Sequence, residues 1–291
     1  MTDLRRILLR AIAACALAAA LLPSHAAAVV RGDYRFENDL TNSSGSLPSL
    51  TPIGPGQPTF HGEIVEGSEV VVYEFPTDNG LEITPLTGMA GNVYSIVMLV
   101  RLDHVTGASR LIDFKDGASD CGFYVVDGAP AIECGAAGMP SICANTWVQV
   151  VLTRSANDTV RIYVNGNLQL EYDDTAGDTA LTEESLRFFR DNECTFPCGE
   201  ESGGAVARIL VHDTVLRRNF IEDLVVQECG DLNSSGTITA SDALGALKAA
   251  VGTGCCQIEF CDVAEPPGVL ASDALAILKA AVDQEIDLSC G

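Results

Sequence analysis

At 291 residues the chain can hold one domain of ordinary size plus a small second one, and a hydrophobic content of 47% excludes wholesale disorder. A net charge of −23 repels phosphate backbones and anionic lipid, which excludes nucleic acid and the membrane surface as partners. The acidic excess fits either a solubilising surface or divalent-cation binding, and only residue spacing separates the two.

The chain opens on Arg5, Arg6 and Arg10, runs apolar from Ala11 to Leu22, breaks at Pro23 and continues through small residues at Ser24, Ala26 and Ala28. That order predicts a cleavable secretory signal over residues 1–28, too short in its apolar part to span a bilayer. The Arg5-Arg6 pair also resembles a twin-arginine export signal. Ile12 to Cys15 resembles a lipoprotein cleavage box, but Cys15 lies inside the apolar run instead of at its end. No second long apolar stretch follows, so the mature chain is expected to be soluble on the exported side of a bacterial cell: secreted, periplasmic or held at the surface. Its charge is then about −25.

From Val29 to Gln227 short apolar segments recur between Gly, Pro, Asn and Asp clusters, which predicts β structure. Strands are expected at Val93–Leu102, Leu111–Phe114, Gly122–Val126 and Trp147–Thr153, and again at Leu186–Arg190 and Ala205–His212. Val160, Ile162 and Val164 alternate with Arg161 and Tyr163, Asn165-Gly166 supplies a tight turn, and Leu168, Leu170 and Tyr172 alternate on the way back. Many short strands over this length predict two sheets packed face to face. Residues 42–58, rich in Ser, Pro and Gly, read as a long surface loop.

The segments WVQVVLTRSANDTVRIYVNG, LRFF and GGAVARILVHDTVL resemble the central hairpin and last strands of a laminin-G-like domain, the concanavalin-A-like jelly roll, and DYRFENDLTNSSG resembles its first strand and loop. The resemblance implies a mainly β, two-sheet sandwich over residues 29–227 that binds glycans or other extracellular proteins.

Without Cys15 the chain keeps ten cysteines, and an even number in an exported chain predicts disulfides. Cys121, Cys134, Cys143, Cys194 and Cys198 lie in the larger part, Cys255, Cys256, Cys261 and Cys290 in the tail, and Cys229 at the join. If every thiol pairs, Cys229 is expected to join one of the first five and so clamp the join. No CxxC pair suggests zinc.

Residues 228–291 form a different unit. SDALGALKAAV at 241–251 returns as SDALAILKAAV at 272–282, identical at nine of eleven positions. Leu244, Leu247 and Val251 follow helical spacing, as do Leu275, Leu278 and Val282. Ahead of the first helix stands DLNSSGTITASD. A twelve-residue calcium loop needs oxygens at positions 1, 3, 5, 7, 9 and 12 and Gly at 6. Here these are Asp231, Asn233, Ser235, Thr237 through its carbonyl, Thr239 and Asp242, with Gly236 at six and apolar Ile238 at eight. Calcium, a hard cation served by six to eight oxygens, is the predicted cofactor.

A duplicated loop with only an exit helix, and Asp instead of Glu at twelve, resembles a dockerin module. The resemblance implies docking to a cohesin-like or other scaffold or surface partner, through Ala240, Ser241, Ala271, Ser272 and the helices after them. The second loop departs from the pattern. Asp262 and Asp273 keep its ends, but Ala264 and Pro266 offer no side-chain oxygen and Gly268 is displaced by one. That loop is expected to bind weakly or not at all, with disulfides among the tail cysteines stapling it instead.

No GxSxG, HExxH or phosphate-cradling loop is present. His61, His104 and His212 have no sequence-local nucleophile or second ligand, and Glu63 and Glu66 have the wrong parity to share a strand face. Asp191, Glu193, Glu200 and Glu201 form either a second calcium site at the sandwich rim or a solvated acidic loop. Trp147 is either a sugar-stacking platform or core. The expected function is non-catalytic recognition by the sandwich with calcium-dependent attachment by the tail. The alternatives are a jelly-roll glycoside hydrolase with the same tail, or a purely structural surface protein.

Overall fold

The computed structural model describes residues 28–89, 92–181, 184–191, 202–225 and 228–290. Residues 1–27 of the segment expected to be a signal, Cys15 among them, lie outside the described residues, as do Cys194, Cys198, Glu193, Glu200 and Glu201.

The described residues between 28 and 212 alternate short strands with turns. In chain order these are β1 (Val30–Tyr34), β2 (Thr51–Ile53), β3 (Thr59–Val65), β4 (Ser68–Phe75), β5 (Gly80–Ile83), β6 (Tyr94–Leu102), β7 (Ala108–Asp113) and β8 (Gly122–Val126). They continue as β9 (Ala129–Ile132), β10 (Ala136–Ala137), β11 (Val148–Arg154), β12 (Thr159–Val164), β13 (Asn167–Asp173), β14 (Leu186–Phe188) and β15 (Gly204–His212). One sheet runs β13-β12-β11-β6-β15-β4-β3 with β1 also on β15, and the other runs β10-β9-β8-β7-β14-β5-β2. Both are antiparallel, and together they form the expected sandwich.

Alternation along the strands builds the core. Ile96, Met98 and Val100 of β6 face inward beside Val150 and Leu152 of β11, and meet Phe123, Val125, Leu186 and Phe188 of the opposite sheet. The β12–β13 hairpin turns at Asn165 (φ 43°) and Gly166 (φ 79°), the positive-φ pair that the sequence requires there. The loop over 42–58 is largely irregular but contains β2, and its Leu47 and Leu50 are buried in the core.

The outer face of the first sheet is apolar as well. Val97, Val151, Tyr163 and Leu210 are covered by Leu216 and by Ile221 of α1 (Arg218–Asp223), a short helix within the stretch read as all β. Farther along the same sheet, Val65, Val72, Trp147, Ala205 and Ala207 form a second outer cluster.

The tail carries α2 (Ala240–Ala250), α3 (Ile258–Cys261) and α4 (Ala271–Ala280). Its core is built on small residues: Ala243 and Ala246 of α2 meet Ala274, Ala276 and Ile277 of α4 around Val263. The repeated leucines do not face that core. Leu244, Leu247, Val251, Leu275, Leu278 and Val282 are all between 41% and 65% exposed, because alanine faces let the two helices approach closely and turn the longer side chains outward.

Cys121–Cys134 staples the second sheet, while Cys229–Cys290 and Cys256–Cys261 staple the tail. The expected pairing of Cys229 with the sandwich is thereby corrected: it closes the tail on itself. The bond across the join is Cys143–Cys255. Among the described residues no helix is long and apolar enough to cross a membrane.

Candidate functional site: the first tail loop and its seam with the sandwich

The first loop folds its six oxygen positions into one hydrogen-bonded mesh. Ser235 N–H donates to Asp231 Oδ1 and to Asn233 Oδ1, each at 3.0 Å, and Gly236 N–H donates to Asp231 Oδ2 at 2.6 Å. Ser235 Oγ donates to the Thr237 carbonyl at 3.1 Å. Asn233 N–H reaches Asp242 Oδ1 at 3.2 Å, and Thr239 donates its N–H (2.8 Å) and its hydroxyl (2.7 Å) to Asp242 Oδ2. Asp242 thus closes the loop and caps α2 in the same contact.

Asp231 and Asp242 are each 1% exposed. Burial pushes the Asp231 carboxyl above its usual range; the Gly236 and Ser235 amides oppose that rise and the Asp242 charge adds to it. Two buried carboxylates, with the charge of Asp231 penalised by burial and by Asp242, surrounded by neutral oxygens, suit a hard divalent cation, which would relieve both penalties. Among the described residues no three acidic, histidine or cysteine side chains gather as a metal cluster. The donor set is two carboxylates with amide, hydroxyl and carbonyl oxygens.

In the second loop main-chain amides stand where side-chain oxygens are missing. Asp273, fully buried, accepts from Val263 N–H (2.9 Å), Ala264 N–H (2.8 Å) and Leu270 N–H (2.8 Å). Asp262 accepts from Gly268 N–H at 2.7 Å, one residue later than the matching contact in the first loop. Ala240, Ser241, Ala271 and Ser272 are exposed at the starts of α2 and α4, next to the outward leucines.

The first loop also abuts the sandwich. Glu66 N–H, in the β3–β4 turn, donates to the Ser234 carbonyl at 2.9 Å, and Ser234 Oγ reaches the Trp147 carbonyl at 3.3 Å. On the other flank Gln257 bridges Asn165 Nδ2 (2.8 Å) and the Ser141 carbonyl (2.6 Å) beside the Cys143–Cys255 bond. Sequence reading missed this seam, since nothing local in Ser234 or Gln257 marks a partner so distant in the chain.

Trp147 is buried in the outer cluster and donates Nε1–H to Glu63 Oε1 at 3.1 Å, so it is core and not a platform. His61 gains neighbours that its sequence surroundings do not suggest: Glu63 Oε2 lies 3.5 Å from Nε2 and Glu74 Oε2 3.3 Å from Nδ1, on adjacent strands. Arg101 pairs with Glu63 at 3.3 Å. His212 is buried, and His104 lies by Ser202. Asp191, the described member of the acidic rim group, is buried against Arg110 (3.0 Å) and Tyr124 (3.2 Å).

The sandwich is similar in fold to several solved domains. Domain 4 of AbnA, an extracellular GH43 arabinanase from Geobacillus stearothermophilus solved with arabinotriose, matches with a TM-score of 0.54 at 16% identity, over 68% of this chain and 98% of that one. The binding domain of the Paraclostridial Mosquitocidal Protein 1 matches at 0.52 and 11%, over 72% and 56%. The binding domain of botulinum neurotoxin DC, solved with rat synaptotagmin II, matches at 0.51 and 12%, over 69% and 52%. The chain therefore spans only about half the length of the two toxin domains. At these identities the likeness is one of fold. No curated protein matches the chain in sequence. A family model does match, over residues 75–221, the stretch that runs from the end of β4 into α1. The chain belongs to the concanavalin A-like lectin/glucanases superfamily.

Proposed function

We propose that this is an exported recognition protein: its sandwich binds a glycan or a protein surface, and its tail, a dockerin-like module, holds calcium in the first loop and docks to a cohesin-like or other scaffold or surface partner. The mesh that joins Asp231, Asn233, Ser235, Thr237, Thr239 and Asp242 carries the reading, because it gathers oxygen donors at the spacing calcium uses. The exposed leucines of α2 and α4 supply the apolar surface that a docking helix pair needs. Sandwich neighbours that were solved with arabinotriose and with synaptotagmin II support a binding role for this fold. Disulfides in both parts suit an oxidising compartment.

The test is a calcium titration of the full chain followed by melting temperature. Millimolar calcium is expected to raise it, Asp231→Ala to abolish the rise and Asp262→Ala to leave it intact. No rise in the wild type sinks the calcium reading. A panel of cohesin domains and a glycan array test the two binding surfaces separately.

A hydrolase reading has one observation behind it, the carboxylates of Glu63 and Glu74 on either side of His61. Release of reducing ends from β-glucans or galactans, lost in Glu63→Gln, is the result that would favour it.

A further inference from the structure

β15 carries two neighbours on one side. β4 pairs with it only through Tyr73, Glu74 and Phe75, and β1 takes over from Ile209 onward. β15 shifts register between Val206 and Arg208, at the changeover. The first half of β4, Ser68–Val72, keeps β3 on one side and, among the described residues, has no strand paired on the other. The β3–β4 hairpin closes at Val65 and Ser68 round the Glu66-Gly67 turn. Alternation then sends the main chain of Ser68 and Val70 to β3 and that of Glu69 and Val71 toward the open side.

That side opens on a cavity of about 550 Å³, within the range of about 300–1,000 Å³ usual for ligand sites. Its floor is apolar, with Val70, Leu99 and Ala207, and its rim is charged. The guanidinium groups of Arg35 and Arg208 on the rim share Asp33, at 2.8 Å and 3.0 Å. Glu37, Glu66 and Glu69 form no ion pair among the described residues. Burial pushes the Glu66 carboxyl above its usual range. Two guanidinium groups against four carboxylates (Asp33, Glu37, Glu66 and Glu69) leave the net charge here negative, no aromatic ring is among the described residues that line the cavity to stack on a sugar, and an open strand edge accepts extended main chain.

We propose that the open edge of β4 at Glu69–Val71 receives an extended peptide segment of another protein, which adds as a strand and places a lysine or arginine among Glu37, Glu66 and Glu69. This deepens the recognition reading and rests on it for the sandwich alone; it does not depend on the tail holding metal.

Fluorescence anisotropy with the full chain tests it. The probe is labelled acetyl-Val-Lys-Val-Thr-Val-amide, with a Lys→Glu counterpart and a third peptide N-methylated on alternate residues. Saturable binding of the first is expected below about 1 mM, weakened at least about tenfold in each of the other two and by Glu69→Lys in the protein. Absence of binding overturns the proposal. So does binding that survives N-methylation, which marks charge adsorption without a strand edge. A sandwich that ignores the peptides yet binds a glycan array also overturns it, while leaving the recognition reading intact. One that binds neither removes both.

Discussion

Gly236, at the sharp bend of the first tail loop, lies against Gly67 in the β3–β4 turn, main chain to main chain. A β-carbon on Gly236 would overlap the Gly67 α-carbon, and one on Gly67 would stand 3.1 Å from that of Gly236. Both residues have positive φ, 78° and 74°. Gly236→Ala is therefore expected to cost about 1–3 kcal/mol, from backbone strain and from the lost approach. Denaturant melts of the full chain check it, and an unchanged midpoint would mean that the seam does not hold the loop.

Reduction of the join gives a second expectation. Cys143–Cys255 closes a separation of 112 residues, so the Cys143→Ser/Cys255→Ser double variant should lose about 2–4 kcal/mol. Limited proteolysis should cut this variant first between α1 and α3. The Gln257 bridge to Asn165 and Ser141 remains as the weaker tie.

His212 sets a pH dependence. Burial lowers its pKa below the usual 6.5; Asp213 and Asp33 oppose this and Arg208 adds to it, and neither ring nitrogen has a hydrogen-bond partner among the described residues. The folded state thus binds fewer protons than the unfolded chain. The stability tied to this group is complete above pH 6.5 and declines as pH falls below it. Melting temperature measured from pH 8 to pH 5 should fall on the acid side, and more shallowly in His212→Leu.

The outward leucines offer a separation of stability from docking. Leu244→Asp with Leu275→Asp alters side chains that are 51% and 53% exposed, so the melt should move by no more than about 0.5 kcal/mol. Capture of a cohesin-like partner should be lost. A large destabilisation would mean that these side chains are buried in the native protein.

Periodicity and turn chemistry made the sandwich legible. Alternation around Asn165-Gly166 predicts β12 and β13, and the residue order of the first loop matches the mesh that closes on Asp242. The β3–β4 hairpin was missed because its turn, Glu66-Gly67, lacks the usual Asn or Asp and its strand mixes charges with valines. Helical spacing of the tail leucines gives a face but not whether that face is buried, and alanine packing decides that. Cys229 misled because parity of thiols carries no distances. His61 meets Glu63 two residues along its own strand, but Glu74 comes to it through the pairing of β3 with β4, which no local motif records.

The covalent bond between Cys143 and Cys255, flanked by Gln257 on one side and by the loop against the β3–β4 turn on the other, makes the tail a bracket instead of a leash. Whatever α2 and α4 grip would be presented at a set bearing to the open edge of β4, so the angle between two captured molecules is written into the chain itself.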